Sequence, residues 1–149
     1  AGHCLLLMEP DGVAFIGDID LTGFGPYYGD ASSSLKEFRA SLARLPEIPA
    51  KVWVTAHHRG VYTDRARFMD DLASYAAKLD ARSERLLEML ASGARTLPEL
   101  VAQRLLYPVG YDGLWVIDAE TRTIRQHLAE LIAAGRVREN DEGLFSRVG

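Results

Sequence analysis

Val13-Ala14-Phe15-Ile16-Gly17-Asp18 and Lys51-Val52-Trp53-Val54-Thr55-Ala56-His57 decide how this chain folds. Each is a short apolar run that ends on a residue able to bind a metal. α/β folds carry their chemistry just outside the ends of their strands. A carboxylate and an imidazole at two such ends therefore form part of a candidate metal site. The alternatives are an Asp18 that caps backbone amides in a turn and a His57 at an ordinary strand end. In His57-His58 only one imidazole is expected to face a shared site, because adjacent side chains on extended backbone point to opposite sides. His57 is our choice.

Working outward, Cys4–Met8 and Val13–Ile16 flank Glu9-Pro10-Asp11-Gly12. Proline early and glycine late predict a β-hairpin turn. Both arms are almost wholly apolar, as expected of strands buried on both faces. Cys4 then reads as a core thiol. Ile19–Asp30 is rich in Gly, Pro and Tyr and predicts an irregular loop, either a pocket wall or ordinary packing. Within it Tyr27 and Tyr28 could present a phenol to a substrate, although packing is the simpler role. Ser34 and Glu37 have the spacing of a capping box, and Leu35, Phe38, Leu42 and Leu45 follow at helical intervals. Pro46 and Pro49 end that helix before the strand Val52–Thr55. Hairpin, helix, strand is the order of a layered α/β fold.

Asp64 can cap a second helix, roughly Arg65–Leu79. The character then changes near residue 80, where we place a domain boundary between 1–79 and 80–149. The second part predicts a helix over Arg82–Leu90 and another opened by the capping box Thr96-Leu97-Pro98-Glu99. A third follows, roughly Ala119–Ala134, and then a hairpin around Asn140-Asp141-Glu142-Gly143. Three helices followed by a hairpin are the plan of a winged helix. Trp53 and Trp115 read as core aromatics.

Bulk properties narrow the function. The 149 residues hold one ordinary domain or two small ones. A net charge of −4 argues against binding nucleic acid through bulk charge. The third helix offers Arg122, Arg125, Gln126 and His127, and the hairpin offers Arg136, Arg138 and Arg147. Yet residues 79–149 hold nine arginines against eleven acids, Glu120 among them, which is no basic footprint. A nucleic-acid-binding or regulatory winged helix is thus the alternative reading. No apolar run approaches the roughly 18 residues needed to cross a bilayer, so a membrane is not an expected partner. The single cysteine cannot form an internal disulfide and fits a cytoplasmic protein. The chain starts on Ala1-Gly2-His3 directly before Cys4-Leu5-Leu6-Leu7-Met8, which reads as a chain cut within a fold.

Together, Gly2-His3-Cys4-Leu5-Leu6-Leu7, Phe15-Ile16-Gly17-Asp18 and Val52-Trp53-Val54-Thr55-Ala56-His57 resemble the second half of a metallo-β-lactamase-fold hydrolase. The resemblance covers residues 1 to about 79. Residues 80–149 resemble the winged-helix tail of one subgroup of these enzymes. The implied fold is the second half of a layered αββα sandwich followed by a small winged-helix domain. The resemblance implies a binuclear site, most often zinc, in which Asp18 bridges the two ions and His57 completes the second ion's shell. It also implies hydrolysis of an ester, thioester, lactone or similar small molecule by metal-held hydroxide. His3 matches the second histidine of the family phrase Pro-Gly-His-Thr/Ser-x-Gly-His, which implies a structural neighbour of the site, not a ligand. The family's main metal motif, His-x-His-x-Asp-His, is absent. Ala56-His57-His58-Arg59 stands where Pro-Gly-His-Gly is common, so His58 is the alternative to His57. Arg59 could meet an anionic substrate group or be a solvated surface residue. The expected partners are the missing N-terminal half of the fold or another copy of the chain. Alone, the chain is expected to bind metal weakly and to turn over nothing.

Overall fold

A computed structural model of the chain describes residues 3–57 and 60–149. The chain divides into two compact units. One holds the residues up to Tyr27 together with Lys36–Leu79, and the other holds Tyr28–Leu35 with Asp80–Gly149.

The first unit is built on four short strands, β1 (Leu6–Met8), β2 (Val13–Phe15), β3 (Val52–Val54) and β4 (Val61–Tyr62), in the order β1-β2-β3-β4. The β1–β2 pair is the antiparallel hairpin that its turn residues predict, with Gly12 at φ +73° donating to the Met8 carbonyl. β2 and β3 are parallel, joined by the helix α1 (Leu35–Arg44) and a 3-10 turn at Leu45–Glu47. A parallel pair needs such a crossover.

Alternate residues define two faces of this sheet. On one, Ala14, Trp53 and Tyr62 are buried, and Phe68 stacks on Trp53 at 4.4 Å. On the other, the register brings Leu6 beside Phe15 and Val61 beside Val54. Leu6, Met8, Phe15 and Val61 are exposed there, Leu6 by 57%. The expectation of strands buried on both faces is therefore corrected, since a continuous apolar run does not reveal that only one face is covered. Cys4 is exposed and precedes β1, so it is not the core thiol its apolar neighbours predicted.

α2 (Arg65–Met89) is one continuous helix where the sequence predicts two. Neither glycine nor proline interrupts residues 79–82, and the change of character near residue 80 is not a break in the backbone. Asp64 caps its start, accepting from the Ala66 and Arg67 amides.

In the second unit, the C-terminal part of α2 is followed by β5 (Arg95–Thr96), α3 (Leu97–Gln103), α4 (Val116–Ala133), β6 (Val137–Glu139) and β7 (Leu144–Arg147). Its three strands lie in the order β5-β7-β6. The Thr96–Glu99 capping box forms as its spacing predicts. α4 ends in a Schellman motif, with Gly135 at φ +69° and the Arg136 amide donating to the Leu131 carbonyl. Leu86, Leu87, Leu90, Leu100, Ile124, Leu128 and Phe145 belong to one apolar core. Trp115 is 55% exposed and immediately precedes α4, outside that core.

Candidate metal centre

The register of the parallel pair builds the site. Phe15 lies opposite Val54, and Asp18 and His57 each follow three residues later. The ladder continues past the strands, since the Ile16 amide donates to the Val54 carbonyl (2.8 Å) and the Ala56 amide to the Gly17 carbonyl (2.9 Å). Both chain ends thus leave the sheet side by side. Asp18 Oδ1 and His57 Nε2 stand 3.2 Å apart, both well exposed.

Three local devices shape these ends. Gly17 adopts φ +57°, the left-handed region that favours glycine. His3 Nε2 accepts the Asp18 backbone N–H at 2.9 Å. Thr55, which is buried, donates its hydroxyl to the His57 carbonyl (2.7 Å) and accepts from the Gly60 amide (3.0 Å). Thr55 is a residue that sequence reasoning missed. The only signal was a hydroxyl side chain at the end of a strand, followed by a short stretch ending in glycine. Asp20 closes its own turn by accepting from the Thr22 amide and hydroxyl.

The donor chemistry and spacing fit a metal in part. Zinc takes imidazole nitrogen and carboxylate oxygen at about 2.1 Å, so two ligands of one tetrahedral ion lie about 3.4 Å apart. The Asp18–His57 separation is close to that span. Among the described residues, no three His, Cys, Asp or Glu side chains group closely enough to hold an ion. His58 and Arg59, named from the sequence, lie outside the described residues.

Other candidates fall elsewhere. Tyr28 is fully buried in the second unit, where Arg82 Nη1 donates to its hydroxyl (3.1 Å) and His127 Nε2 lies 2.6 Å from it. Ser83 Oγ lies 2.8 Å from His127 Nδ1. If the Tyr28 hydroxyl donates to Nε2, Nδ1 carries the ring proton and donates to Ser83, so each has a partner. Tyr28 therefore serves packing, and His127 is buried, not offered on the surface of its helix. Tyr27 is half-buried. Glu120, one of the acids counted against a basic footprint, is also fully buried. Its carboxylate accepts the backbone N–H groups of Leu105, Leu106 and Tyr107 at 2.8–2.9 Å. Neither residue was legible as buried, because a polar side chain on a helix reads as a surface one until its partners are known.

Among the described residues no helix is long and apolar enough to cross a membrane. No family model matches the chain, and no curated protein matches it. Solved structures do match. A metallo-beta-lactamase family protein from Thermus thermophilus is 29% identical with a TM-score of 0.68, matching 99% of this chain and 46% of its own. A beta-lactamase domain protein from Burkholderia ambifaria is 22% identical with a TM-score of 0.70, matching 98% of this chain and 44% of its own. The chain thus has the fold of a part of such proteins and spans a little under half the length of each.

Proposed function

We propose that this chain is the C-terminal portion of a metal-dependent hydrolase, with Asp18 and His57 contributing to a binuclear, zinc-type centre. The observation that carries the reading is the 3.2 Å approach of the two donors at one register of a parallel strand pair. Likeness to metallo-beta-lactamase family proteins supports it at the level of fold. Bound metal supplies an acidified water and a Lewis acid for the oxygen of an ester, thioester, lactone or similar group. In this reading the Asp18 carboxylate and the His57 imidazole would help hold the metal that supplies this chemistry, with Asp18 also orienting the attacking water. Thr55 holds the backbone at His57, so the imidazole starts from a fixed anchor.

The remaining ligands are assigned to protein beyond these 149 residues. The exposed apolar face bearing Leu6, Met8, Phe15 and Val61 is assigned to cover by that protein or by a second copy. We read the second unit as a winged helix of the packing kind. Its helix–helix–hairpin order supports the assignment. A grip on nucleic acid gains less support. Arg122 donates to the Gly29 carbonyl, Arg136 is paired with Glu84, and His127 is buried.

Zinc titration of the 149-residue chain, followed by calorimetry, tests the reading. The wild type is expected to bind weakly and Asp18→Ala and His57→Ala to bind at least about tenfold more weakly still. Equal affinity in all three would overturn it, as would an open reading frame in which no His-x-His-x-Asp-His precedes these residues.

A further inference from the structure

We infer that His3 is the positioning residue of this centre, holding the Asp18 backbone so that its carboxylate stands beside His57. The inference rests on the proposed hydrolase only for its chemical purpose.

A single peptide group carries the argument. Between Gly17 and Asp18, the carbonyl accepts from the Ala56 amide at 2.9 Å and the N–H donates to His3 Nε2 at 2.9 Å. One end of this peptide plane is thus tied to the chain that leads to His57, and the other to the imidazole. A plane held at both ends fixes the positions of the Asp18 nitrogen and Cα, and so the point from which the carboxylate leaves the backbone. Asp18 is exposed and lies beyond β2, so the continued ladder holds only the Gly17 carbonyl end of this plane, and the Asp18 N–H end is held by His3.

Gly17 is fitted to the same arrangement. A Cβ built at Gly17 would lie 2.4 Å from His3 Nε2 and 3.0 Å from its Cδ2. The ring occupies the space that any side chain would fill. Glycine therefore meets two demands here, the left-handed backbone and the close approach of the imidazole.

The bond also selects the tautomer of a neutral His3. A nitrogen that accepts an N–H carries no proton of its own, so the neutral ring bears its hydrogen on Nδ1. The Nε2 lone pair is committed to the amide and is not free for a metal. His3 thus acts on the centre through Asp18. A glutamine can place an accepting oxygen at a reach comparable to Nε2, whereas alanine cannot.

The test uses the uniformly 15N-labelled, metal-free 149-residue chain at mildly alkaline pH. A scalar coupling across the N–H···N bond, linking the Asp18 amide nitrogen to His3 Nε2, is expected. Its absence with the ring neutral would overturn the inference. In His3→Ala the Asp18 amide is expected to exchange with solvent roughly tenfold faster, and in His3→Gln within about threefold of wild type. Zinc alone is the second probe, with affinity falling about tenfold in His3→Ala and recovering in His3→Gln. Equal losses in the two variants would make His3 a ligand and overturn the inference, as would no loss in either. If zinc binds the wild type no better than Asp18→Ala, the metal reading fails, while the coupling and exchange still decide the role of His3. Should His3→Ala fail to fold, the wild-type coupling and the glutamine variant remain decisive.

Discussion

The four-stranded sheet and the unit containing residues 80–149 treat their apolar side chains differently. The sheet buries Ala14, Trp53 and Tyr62 on one face and leaves Leu6, Met8, Phe15 and Val61 open on the other. The second unit gathers Leu86, Leu100, Ile124, Leu128 and Phe145 into one core. Its buried Glu120 and His127 are hydrogen-bonded. Many of its exposed apolar residues, among them Val109, Tyr111, Leu114 and Trp115, fall between α3 and α4. The unit with the open face also carries the donor pair to which no third ligand group is added among the described residues. Apolar sequence alone therefore does not say whether a core is closed. Closure depends on what lies across from each face.

Leucine truncation should separate the two regions most sharply. Leu86→Ala removes side-chain bulk from a fully buried position and is expected to cost about 3 kcal/mol in denaturant unfolding. Leu6→Ala, on the open face, should cost less than about 0.5 kcal/mol and should lower self-association measured by sedimentation. A Leu6 loss as large as that of Leu86 would show the face to be covered in solution. Next in size is Glu120→Gln. The amide sets an NH2 among three backbone donors that now share two carboxylate oxygens, at a cost of about 2 kcal/mol. A neutral outcome would mean that water satisfies those amides and that the unit is less closed than its packing indicates.

The pattern of elements was readable because it is local. Turn residues around Gly12 and Gly143, the Thr96–Glu99 box and the apolar periodicity each act within a few residues. Asp18 and His57 were legible as candidates because strand ends are marked by where apolar runs stop. That they share a site was an expectation of the sequence; their 3.2 Å separation was not readable, since it depends on β2 and β3 pairing in parallel and in one register. The burial of His127 and Glu120 was hidden for the same reason. Their partners, Tyr28 and the Leu105–Tyr107 amides, lie far from them in sequence. The exposure of Cys4 and Trp115 reflects neighbours that look apolar in sequence but do not surround them in space.

The smallest expected effect is on pH dependence, again confined to the second unit. The hydrogen bond from Arg136 holds the Glu84 carboxyl below its ordinary value, and the Thr96 backbone amide, then its hydroxyl, does the same for Glu99. A carboxyl whose value is depressed by folding contributes stability that is present above its unfolded value and is lost as pH falls through the folded one. Stability should therefore decline as pH drops below about 4.5, the ordinary glutamate value, and Glu84→Gln with Glu99→Gln should flatten that decline. Both groups are on the surface, so the change should be slight and should shrink with added salt. An unchanged acid slope in the double variant would remove these two contacts from the account of this unit.

The crossover through α1 has a consequence for the unfolded chain. β1 meets β2, and β6 meets β7, across a few residues, whereas β2 meets β3 only after the whole of α1 has been laid between them. The entropy lost in closing a chain segment rises with its length, and a clip across a long segment removes more freedom from the unfolded state than one across a short turn. Any bridge between Asp18 and His57, whether an ion or an engineered link, spans the full crossover. It would restrict the denatured ensemble far more than its single point of attachment implies. The donor pair is thus a lever on how tightly the α/β unit is held shut, whatever chemistry it takes part in.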